Sequence, residues 1–382
     1  MKADATPLVV GLLVAGSSIL SLHIGLSVAI IEIVAGAIAG NSGLKPEPWM
    51  DYLAGFGGII LTFLAGAEID TRLMRAKFKE SILIGGLSFL LPFAGVFLLT
   101  RFALGWNVGS ALIAGTALST TSLAVVYSVL VETGLAQTEI GKTLMAATFV
   151  TDMGTALALS ILFLKPTLYT LVFVGASTVI VVVASRFSHL VFDNPRLKDK
   201  VVEPEIKYLF VLLMAFMFFA NLGEGHAVLP AFVLGLFMSR YFSESGEHKR
   251  VRNRMRTVAY AIITPFFFIA GGMKVSAPLI WAAIGLFGLL FVVKVAAKFL
   301  GVFFLARKYI PGGAMYTTLL MSTGLTFGTI ASVFGLHAGL IDQTQYSVLV
   351  GVVIASAVIP TFIAQKWFLP VGMEDLVVTN GD

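Results

Sequence analysis

Apolar runs separated by short polar or turn-rich breaks repeat along the whole chain. Each run is close to the ~20 residues that an α-helix needs to cross a bilayer, so the pattern predicts about thirteen membrane-spanning helices. The short alternating segments typical of a membrane β-barrel do not occur. The predicted segments are 6–22, 25–40, 50–69, 81–101, 107–131, 140–164, 167–188, 205–222, 226–241, 257–273, 277–306, 313–338 and 343–368.

The composition indicates the same class of protein. Hydrophobic residues make up 58% of the 382-residue chain, charged residues make up 12%, and the mean hydropathy is +0.94. This predicts an all-α polytopic membrane protein whose main partner is the lipid bilayer. The chain has no cysteine, which excludes disulfides and thiolate-bound metals. It also has no nucleotide-binding loop, metal-ligand spacing or nucleophile elbow, so we expect no cofactor, no nucleotide and no enzymatic activity.

The distribution of lysine and arginine predicts the orientation in the membrane. Nineteen basic residues fall on one side of the predicted helices and five on the other. By the positive-inside rule, the side rich in lysine and arginine is cytoplasmic. The expected location is the inner (plasma) membrane of the cell, with the N-terminus outside and the C-terminus in the cytoplasm. These loops account for the net charge of +5, so we expect no nucleic-acid partner. They carry Arg72, Arg75, Lys77 and Lys79, then Arg186, Arg196, Lys198, Lys200 and Lys207, then Arg240 and the basic residues from Lys249 to Arg256.

Asp152 is the only charged residue between Lys142 and Lys165, a stretch with the length of a membrane helix. A carboxylate at that depth costs at least ~2.5 kcal/mol and normally faces a water-filled cavity or a partner. We interpret Asp152 as the residue that binds an ion or a proton. The alternative interpretation is a structural carboxylate paired with a lysine elsewhere.

Two lysines inside the eleventh segment are natural charge partners for Asp152. Lys294 and Lys298 are four residues apart and therefore share one helix face. Buried lysines are costly and usually paired. One of the two can instead extend along its aliphatic stem to the membrane surface.

Two predicted helices are interrupted by small and hydroxyl-bearing residues, at 115–122 and at 321–329. An unwound backbone at such a place frees carbonyl oxygens to coordinate a cation. The alternative is that the hydroxyls only bond back to their own helices. Because two such runs occur in matching halves of the chain, we predict two inverted repeats with paired interrupted helices, which is an architecture of transporters.

Six short motifs occur in order along nearly the whole chain. Together they resemble the motifs of bacterial monovalent cation:proton antiporters, the group that includes sodium/proton antiporters and glutathione-gated potassium systems. The resemblance assigns the family's lysine motif to Lys298 rather than to Lys294. The motifs are Ile31 to Gly40 (IEIVAGAIAG), Phe63 to Glu68 (FLAGAE), Thr116 to Ser122 (TALSTTS), Val228 to Gly235 (VLPAFVLG), Thr264 to Met273 (TPFFFIAGGM) and Ala297 to Gly301 (AKFLG).

The resemblance also implies site residues. Most members carry two acidic or amide residues at the centre, whereas this chain has Thr151-Asp152, so Asp152 matches the proton-carrying position. The second interruption lacks the arginine and glutamate of some sodium-transporting relatives. The residues themselves add further candidates. Neutral oxygens for a hard cation are expected from the hydroxyls of Thr151, Ser119, Thr120, Thr121 and Ser122, and the second interruption contributes Ser322, Thr323 and Thr326. Glu32 and Glu68 lie close to the ends of their helices, so they are expected to be structural or gating acids, with direct ion coordination as the alternative.

For the fold, the resemblance implies a homodimer with three groups of helices. Helices within about 6–69 and 205–273 are expected to form a scaffold that makes the dimer contact. Helices within about 81–164 and 277–368 are expected to form a mobile core, and a helix at about 167–188 links the halves. Potassium-transporting relatives append a soluble nucleotide-binding domain, and residues 370–382 are too short for one, so we expect a single transmembrane domain.

The predicted function is exchange of a monovalent cation, sodium foremost, for protons by alternating access, in the service of pH homeostasis. Asp152 can hold a proton or a partly dehydrated cation, but two positive species cannot share one carboxylate. Thr151 does not ionise, so we expect one proton per cation and an electroneutral cycle. Potassium or lithium in place of sodium, a sodium-coupled symporter of organic anions, and a channel or sensor remain alternatives.

Overall fold

We describe the protein from a computed structural model. The structure describes residues 5–24, 26–69, 77–136, 138–162, 167–197, 200, 202–223, 227–244 and 246–370. Every regular element in these ranges is helical. Eleven described helices are long and apolar enough to cross a membrane, and Val28–Asn41 and Val228–Ser239 are shorter apolar helices. The prediction of an all-α protein with about thirteen membrane helices is therefore confirmed.

The helices follow the predicted segments closely. Two π-helical stretches, Leu99–Ala103 and Ala259–Ile263, each continue or precede an α-helix directly. The α-helices are α1 Thr6–Ile24, α2 Val28–Asn41, α3 Pro48–Ala67, α4 Phe78–Leu98, α5 Val108–Ser119, α6 Leu123–Glu132, α7 Glu139–Leu162, α8 Leu168–Phe187, α9 His189–Phe192, α10 Pro204–Leu222, α11 Val228–Glu244, α12 Gly246–Val258, α13 Thr264–Met273, α14 Ala277–Ala282, α15 Ile284–Tyr309, α16 Ala314–Met321, α17 Thr326–His337 and α18 Gln343–Trp367.

Local capping chemistry explains where several helices begin. α3 and α10 each have proline in the first turn, where a missing backbone N–H costs nothing. The Asp342 side chain accepts a hydrogen bond from the backbone of Gln345 at the start of α18, and the Gln345 side chain accepts one from the backbone of Asp342. Asn107 similarly accepts from the backbone of Ser110 at the start of α5.

The predicted start of the tenth span is wrong. The sequence pattern places residues 246–256 in a basic loop, whereas the structure extends a helix through them and on to Met273. The stretch consists mainly of residues that favour helix, and neither proline nor glycine interrupts it between Gly246 and Pro265.

The chain divides into two compact units, and the first comprises 1–45, 73–155 and 271–382. Glycines permit the closest helix contacts in this unit. A Cβ on Gly85 of α4 would overlap the Ala147 carbonyl of α7, and a Cβ on Gly301 of α15 would lie 2.7 Å from the Leu87 carbonyl oxygen of α4. α4 therefore lies in backbone contact with both α7 and α15.

Side chains from α2 and α18 fix the turn between α13 and α14 in the first unit. The amide of Asn41 donates to the Val275 carbonyl (2.9 Å) and accepts from the Ala277 N–H (3.0 Å). The Ser276 N–H donates to Ser347 Oγ at 2.9 Å, and the buried Tyr346 hydroxyl donates to the Gly271 carbonyl at 2.6 Å. These hydrogen bonds satisfy backbone groups that the turn leaves without helical partners.

The second unit comprises 46–72 and 156–270. α3 and α11 approach each other most closely at Gly66 and Gly235, each of which lies against the backbone of the opposite helix. Phenylalanines such as Phe56, Phe63 and Phe216 fill the core of this unit. Arg254 forms an ion pair with Glu203 at 2.8 Å.

The predicted scaffold, core and linker ranges stay a prediction. The compact units group α1 and α2 with the ranges 73–155 and 271–382, which is a different division of the chain. Residues 371–382, on which the expectation about a soluble domain depends, lie outside the described residues, as do the predicted topology residues Lys2, Arg72, Arg75, Lys165 and Lys198.

Candidate functional site

Two membrane helices are broken at the places where the sequence predicts interruptions. α5 ends at Ser119 and α6 begins at Leu123, while α16 ends at Met321 and α17 begins at Thr326. Thr120 directly after α5 is extended, with φ −66° and ψ 158°. The last carbonyls of a helix lack helical partners and carry partial negative charge, so each break offers oxygen atoms within the bundle.

The two interruptions contact each other. Thr121 Oγ1 donates a hydrogen bond to the Met321 carbonyl at 2.8 Å. A Cβ on Gly324 would lie 3.0 Å from the Thr120 carbonyl oxygen, and a Cβ on Gly328 would lie 2.9 Å from the Ala117 carbonyl oxygen. Only glycine permits this approach, so the backbones of the two interruptions pack directly.

Asp152 lies in α7 and is almost fully buried, with 2% of its surface exposed. Its Oδ1 atom is buried and has no hydrogen-bond partner among the described residues. One turn earlier, the Thr148 hydroxyl lies 3.4 Å from Met321 Sδ, which places α7 against the second interruption. A buried acceptor without a partner is costly, so a proton or a cation bound at this oxygen would remove an energetic penalty.

Lys298 of α15 is fully buried and is held by two hydroxyls. Its Nζ donates to Ser88 Oγ of α4 and to Thr121 Oγ1, each at 2.9 Å. Among the described residues, Lys298 and Asp152 form neither a hydrogen bond nor an ion pair. Their predicted role as charge partners therefore stays a prediction, without a direct contact between them in this structure.

Lys294 lies one turn before Lys298 on α15 and is also fully buried. Its Nζ has no hydrogen-bond partner among the described residues. A Cβ built on Gly324 would lie 2.6 Å from this Nζ, so the ammonium group lies directly against the second interruption. Both lysine side chains are fully buried, so neither reaches the surface of the described structure.

The hydroxyl groups donate their hydrogen atoms mainly to backbone carbonyls. A hydroxyl that donates in this way keeps its oxygen lone pairs, so back-bonding and cation coordination are compatible. The observed bonds are Thr151 to Thr148 O (2.6 Å), Ser119 to Thr116 O (2.9 Å), Thr120 to Thr121 O (3.3 Å), Ser322 to Thr318 O (2.8 Å) and Thr323 to Leu320 O (2.8 Å), while Ser122 Oγ accepts from Val125 N (3.5 Å).

Three predicted residues lie apart from these contacts. Thr326 is the first residue of α17 and is only partly buried. Glu32 is buried in α2 and forms no hydrogen bond or ion pair with the residues above. Glu68 follows α3 in the second unit, where Arg256 Nε lies 3.7 Å from its carboxylate. Burial raises the pKa of the Glu68 carboxyl, while Arg256 and Arg252 act in the opposite direction.

Sequence reasoning missed Ser88 and the contact between Lys294 and Gly324. Ser88 is one of two serines in the apolar helix α4, is fully buried and lies 210 positions from Lys298 in the sequence. A serine in an apolar helix carries no signal that distinguishes it from one that bonds to its own backbone.

A helical membrane protein with two interrupted helices in contact and a buried acid beside them has the architecture of an ion transporter. The comparison with known families agrees. The chain belongs to the sodium/hydrogen exchanger family, since the model described as "Sodium/hydrogen exchanger, transmembrane" matches residues 9–368.

Individual relatives are distant but cover most of the chain. A probable Na⁺/H⁺ antiporter 3 of Methanocaldococcus jannaschii is 26% identical over 362 residues, covering 88% of this chain and 89% of the relative. The Na⁺/H⁺-K⁺ antiporter GerN of Bacillus cereus is 24% identical and covers 89% of each chain. The solved structure of the sodium proton antiporter MjNhaP1 from M. jannaschii superposes with a TM-score of 0.71 at 14% identity, over 94% of this chain and 97% of that one, and shows the fold.

Proposed function

We propose that this protein exchanges sodium for protons across a membrane by alternating access, with the two ions competing for Asp152. The observation that carries the proposal is the buried Oδ1 of Asp152, which has no hydrogen-bond partner among the described residues. Membership of the sodium/hydrogen exchanger family and relatives described as Na⁺/H⁺ antiporters support the choice of ions.

Competition at Asp152 follows from electrostatics. A charged carboxylate buried in the membrane region needs a positive partner, and either a proton or a sodium ion can fill that role. Both cannot bind together, because the second would add an uncompensated positive charge. If the protein changes its access only when Asp152 is occupied, sodium moving one way obliges a proton to move the other way.

Groups near Asp152 are proposed to have two further roles, coordination of sodium and stabilisation of the empty carboxylate. The hydroxyl of Thr151 and oxygens of the first interruption are proposed to replace part of the water shell of sodium, because hard cations prefer neutral and anionic oxygens. Lys298 is proposed to stabilise charged Asp152 between binding events, acting through space rather than through contact. Its hydrogen bonds to Ser88 and Thr121 hold the ammonium in place for that role.

Purified protein in proteoliposomes with an internal pH-sensitive dye tests the function. A sodium gradient without any organic solute should drive proton movement in the opposite direction, and Asp152→Asn should abolish it. Parallel gradients of potassium and lithium rank the cations, because selectivity depends on cavity size and oxygen placement. Proton movement driven best by potassium would replace sodium with potassium in the proposal.

The same assay separates the other classes. A sodium-coupled symporter requires an organic anion before sodium moves, and a channel gives a current without obligatory proton countertransport. Either result would reject exchange. The homodimer, the inner-membrane location and the cytoplasmic C-terminus are proposed with the function, and cross-linking and tag accessibility in intact cells test them.

A further inference from the structure

Lys294 has no role in the exchange cycle described above, yet its setting is unusual. Its ammonium group is fully buried and has no hydrogen-bond partner among the described residues, unlike Lys298 one turn away. An ammonium group without acceptors at this depth is costly. In its charged form it therefore needs a compensating feature in its surroundings.

The surroundings of the Lys294 ammonium are the two helix interruptions. The position that a Cβ on Gly324 would occupy serves as a reference point. Lys294 Nζ lies 2.6 Å from it, and the Thr120 carbonyl oxygen lies 3.0 Å from it. Thr120 directly follows the C-terminus of α5, and Gly324 lies three residues after the C-terminus of α16. Both termini carry partial negative charge, which attracts a cation.

We propose that Lys294 acts as a tethered cation that fills a second monovalent-cation site between Gly324 and Thr120. In this role it is a specificity-determining residue: it leaves Asp152 as the single place where sodium binds and keeps the exchange at one sodium ion per cycle. The inference rests on the proposed function, since it requires that sodium binds at Asp152.

The geometry makes the space beside Gly324 exclusive. A Cβ at position 324 would displace the flexible end of Lys294, so the space holds either Lys294 Nζ or a side-chain atom. A small cation can use the space only when both are absent. This exclusion supplies the control for the test.

Equilibrium binding of radioactive sodium to the purified protein, with choline as the replacement cation, counts the sites. The wild type should bind about one sodium ion per chain and Asp152→Asn none. Lys294→Gln should bind about two, and Lys294→Gln combined with Asp152→Asn should keep about one. Adding Gly324→Ala to Lys294→Gln should return the count to about one, because the methyl group fills the space.

Reconstituted Lys294→Gln gives a second readout that a purely structural role would not change. Its sodium uptake should respond to an imposed membrane potential, because an extra positive ion now crosses in each cycle. A folded Lys294→Gln that binds only one sodium ion overturns the inference while leaving sodium/proton exchange intact. A wild type that neither binds sodium nor exchanges it overturns the proposed function instead.

Poor folding of Lys294→Gln is also informative. If the space requires a cation, the variant should be recovered as a monodisperse protein in sodium chloride and lost in choline chloride. Equal loss in both salts contradicts the tethered-cation role, since it shows that sodium does not replace the ammonium group.

Discussion

The carboxylate of Asp152 and the ammonium of Lys298 are both buried in the first unit, and they differ in how their polar atoms are satisfied. Lys298 donates two hydrogen bonds, whereas Asp152 Oδ1 accepts none from the described residues. A group whose hydrogen bonds are complete is suited to holding a fixed charge. A group with an unfilled acceptor is suited to binding and releasing an ion.

Asp152→Asn should abolish sodium-driven proton movement and leave the protein folded. The amide has the shape of the carboxylate but cannot exchange a proton or balance a cation at neutral pH. Dye-loaded proteoliposomes measure the flux, and size-exclusion chromatography checks the fold. Glu139→Gln makes the same chemical change at the exposed start of α7 and should leave exchange unchanged. Normal exchange by Asp152→Asn contradicts the mechanism.

Competition at a single carboxylate also predicts a pH dependence. As the medium becomes more acidic, protons should displace sodium, and the apparent sodium affinity should fall by up to about tenfold per pH unit in the acidic range. The maximal rate at saturating sodium should change much less. Initial rates at a series of sodium concentrations and pH values separate the two, and a sodium affinity that does not change with pH would exclude competition.

Lys298→Ala should destabilise the protein more than Lys294→Ala, both measured in sodium chloride. The Lys298→Ala variant lacks two charge-assisted hydrogen bonds, worth ~1.5–3 kcal/mol each, and Ser88 is left without its donor. Lys294 has no such bonds to lose. Thermal unfolding of the purified variants gives the ranking, and a lower midpoint for Lys294→Ala would reverse it.

At this scale the sequence identifies charged residues better than their partners. Asp152, Lys294 and Lys298 are predictable because charge within an apolar run is rare and costly. The role of Ser88 and the contact of Gly324 with Lys294 are not predictable, because both depend on residues that are distant in the sequence. The same limit explains why the sequence names Lys294 and Lys298 as charge partners of Asp152 but does not predict that Lys298 donates to Ser88 and Thr121 instead.

At the scale of elements, α4 is the helix on which the site depends for its position. It lies in backbone contact with α7, which carries Asp152, and with α15, which carries both lysines. Contacts of this kind depend on residues without side chains, and a single added methyl group is enough to disturb them.

Gly85→Ala should therefore separate α4 from α7 and reduce exchange. The new Cβ would lie 2.6 Å from Val150 Cβ and would also overlap the Ala147 carbonyl, and overpacking of this kind costs ~1–3 kcal/mol. Gly86→Ala is a matched control, because a Cβ at the adjacent glycine meets nothing within 4 Å. Thermal stability and exchange rate should fall in the first variant only. Alanine favours helix more than glycine does, so an equal loss in both variants would show that the contact between α4 and α7 is not its cause.

The sequence predicts the elements well where composition determines them. Both interruptions are predictable because hydroxyl and glycine residues replace apolar ones in the middle of a span. The helix through residues 246–256 is not predictable from hydropathy. Its high charge suggests a loop, although most of its residues favour helix. Hydropathy alone therefore marks the apolar part of a helix rather than the whole helix.

At the scale of the whole molecule, the exchange should move no net charge. Thr151 does not titrate, so we expect Asp152 to contribute one proton for each sodium ion and Lys298 to keep its charge throughout. Sodium uptake by wild-type proteoliposomes should be the same with and without an imposed membrane potential. Uptake that accelerates with potential and loses this response in Lys298→Gln would show that Lys298 releases a second proton.

The back-bonded hydroxyls of α7 and of the two interruptions have a further consequence for which ions can bind. Each of four hydroxyls donates its hydrogen atom to a backbone carbonyl three or four residues earlier in the chain. They belong to Thr151, Ser119, Ser322 and Thr323. What each presents to its surroundings is a lone pair, which attracts a cation and repels an anion. These neutral hydroxyls therefore favour cations over anions. The preference does not change with pH, because serine and threonine hydroxyls do not titrate.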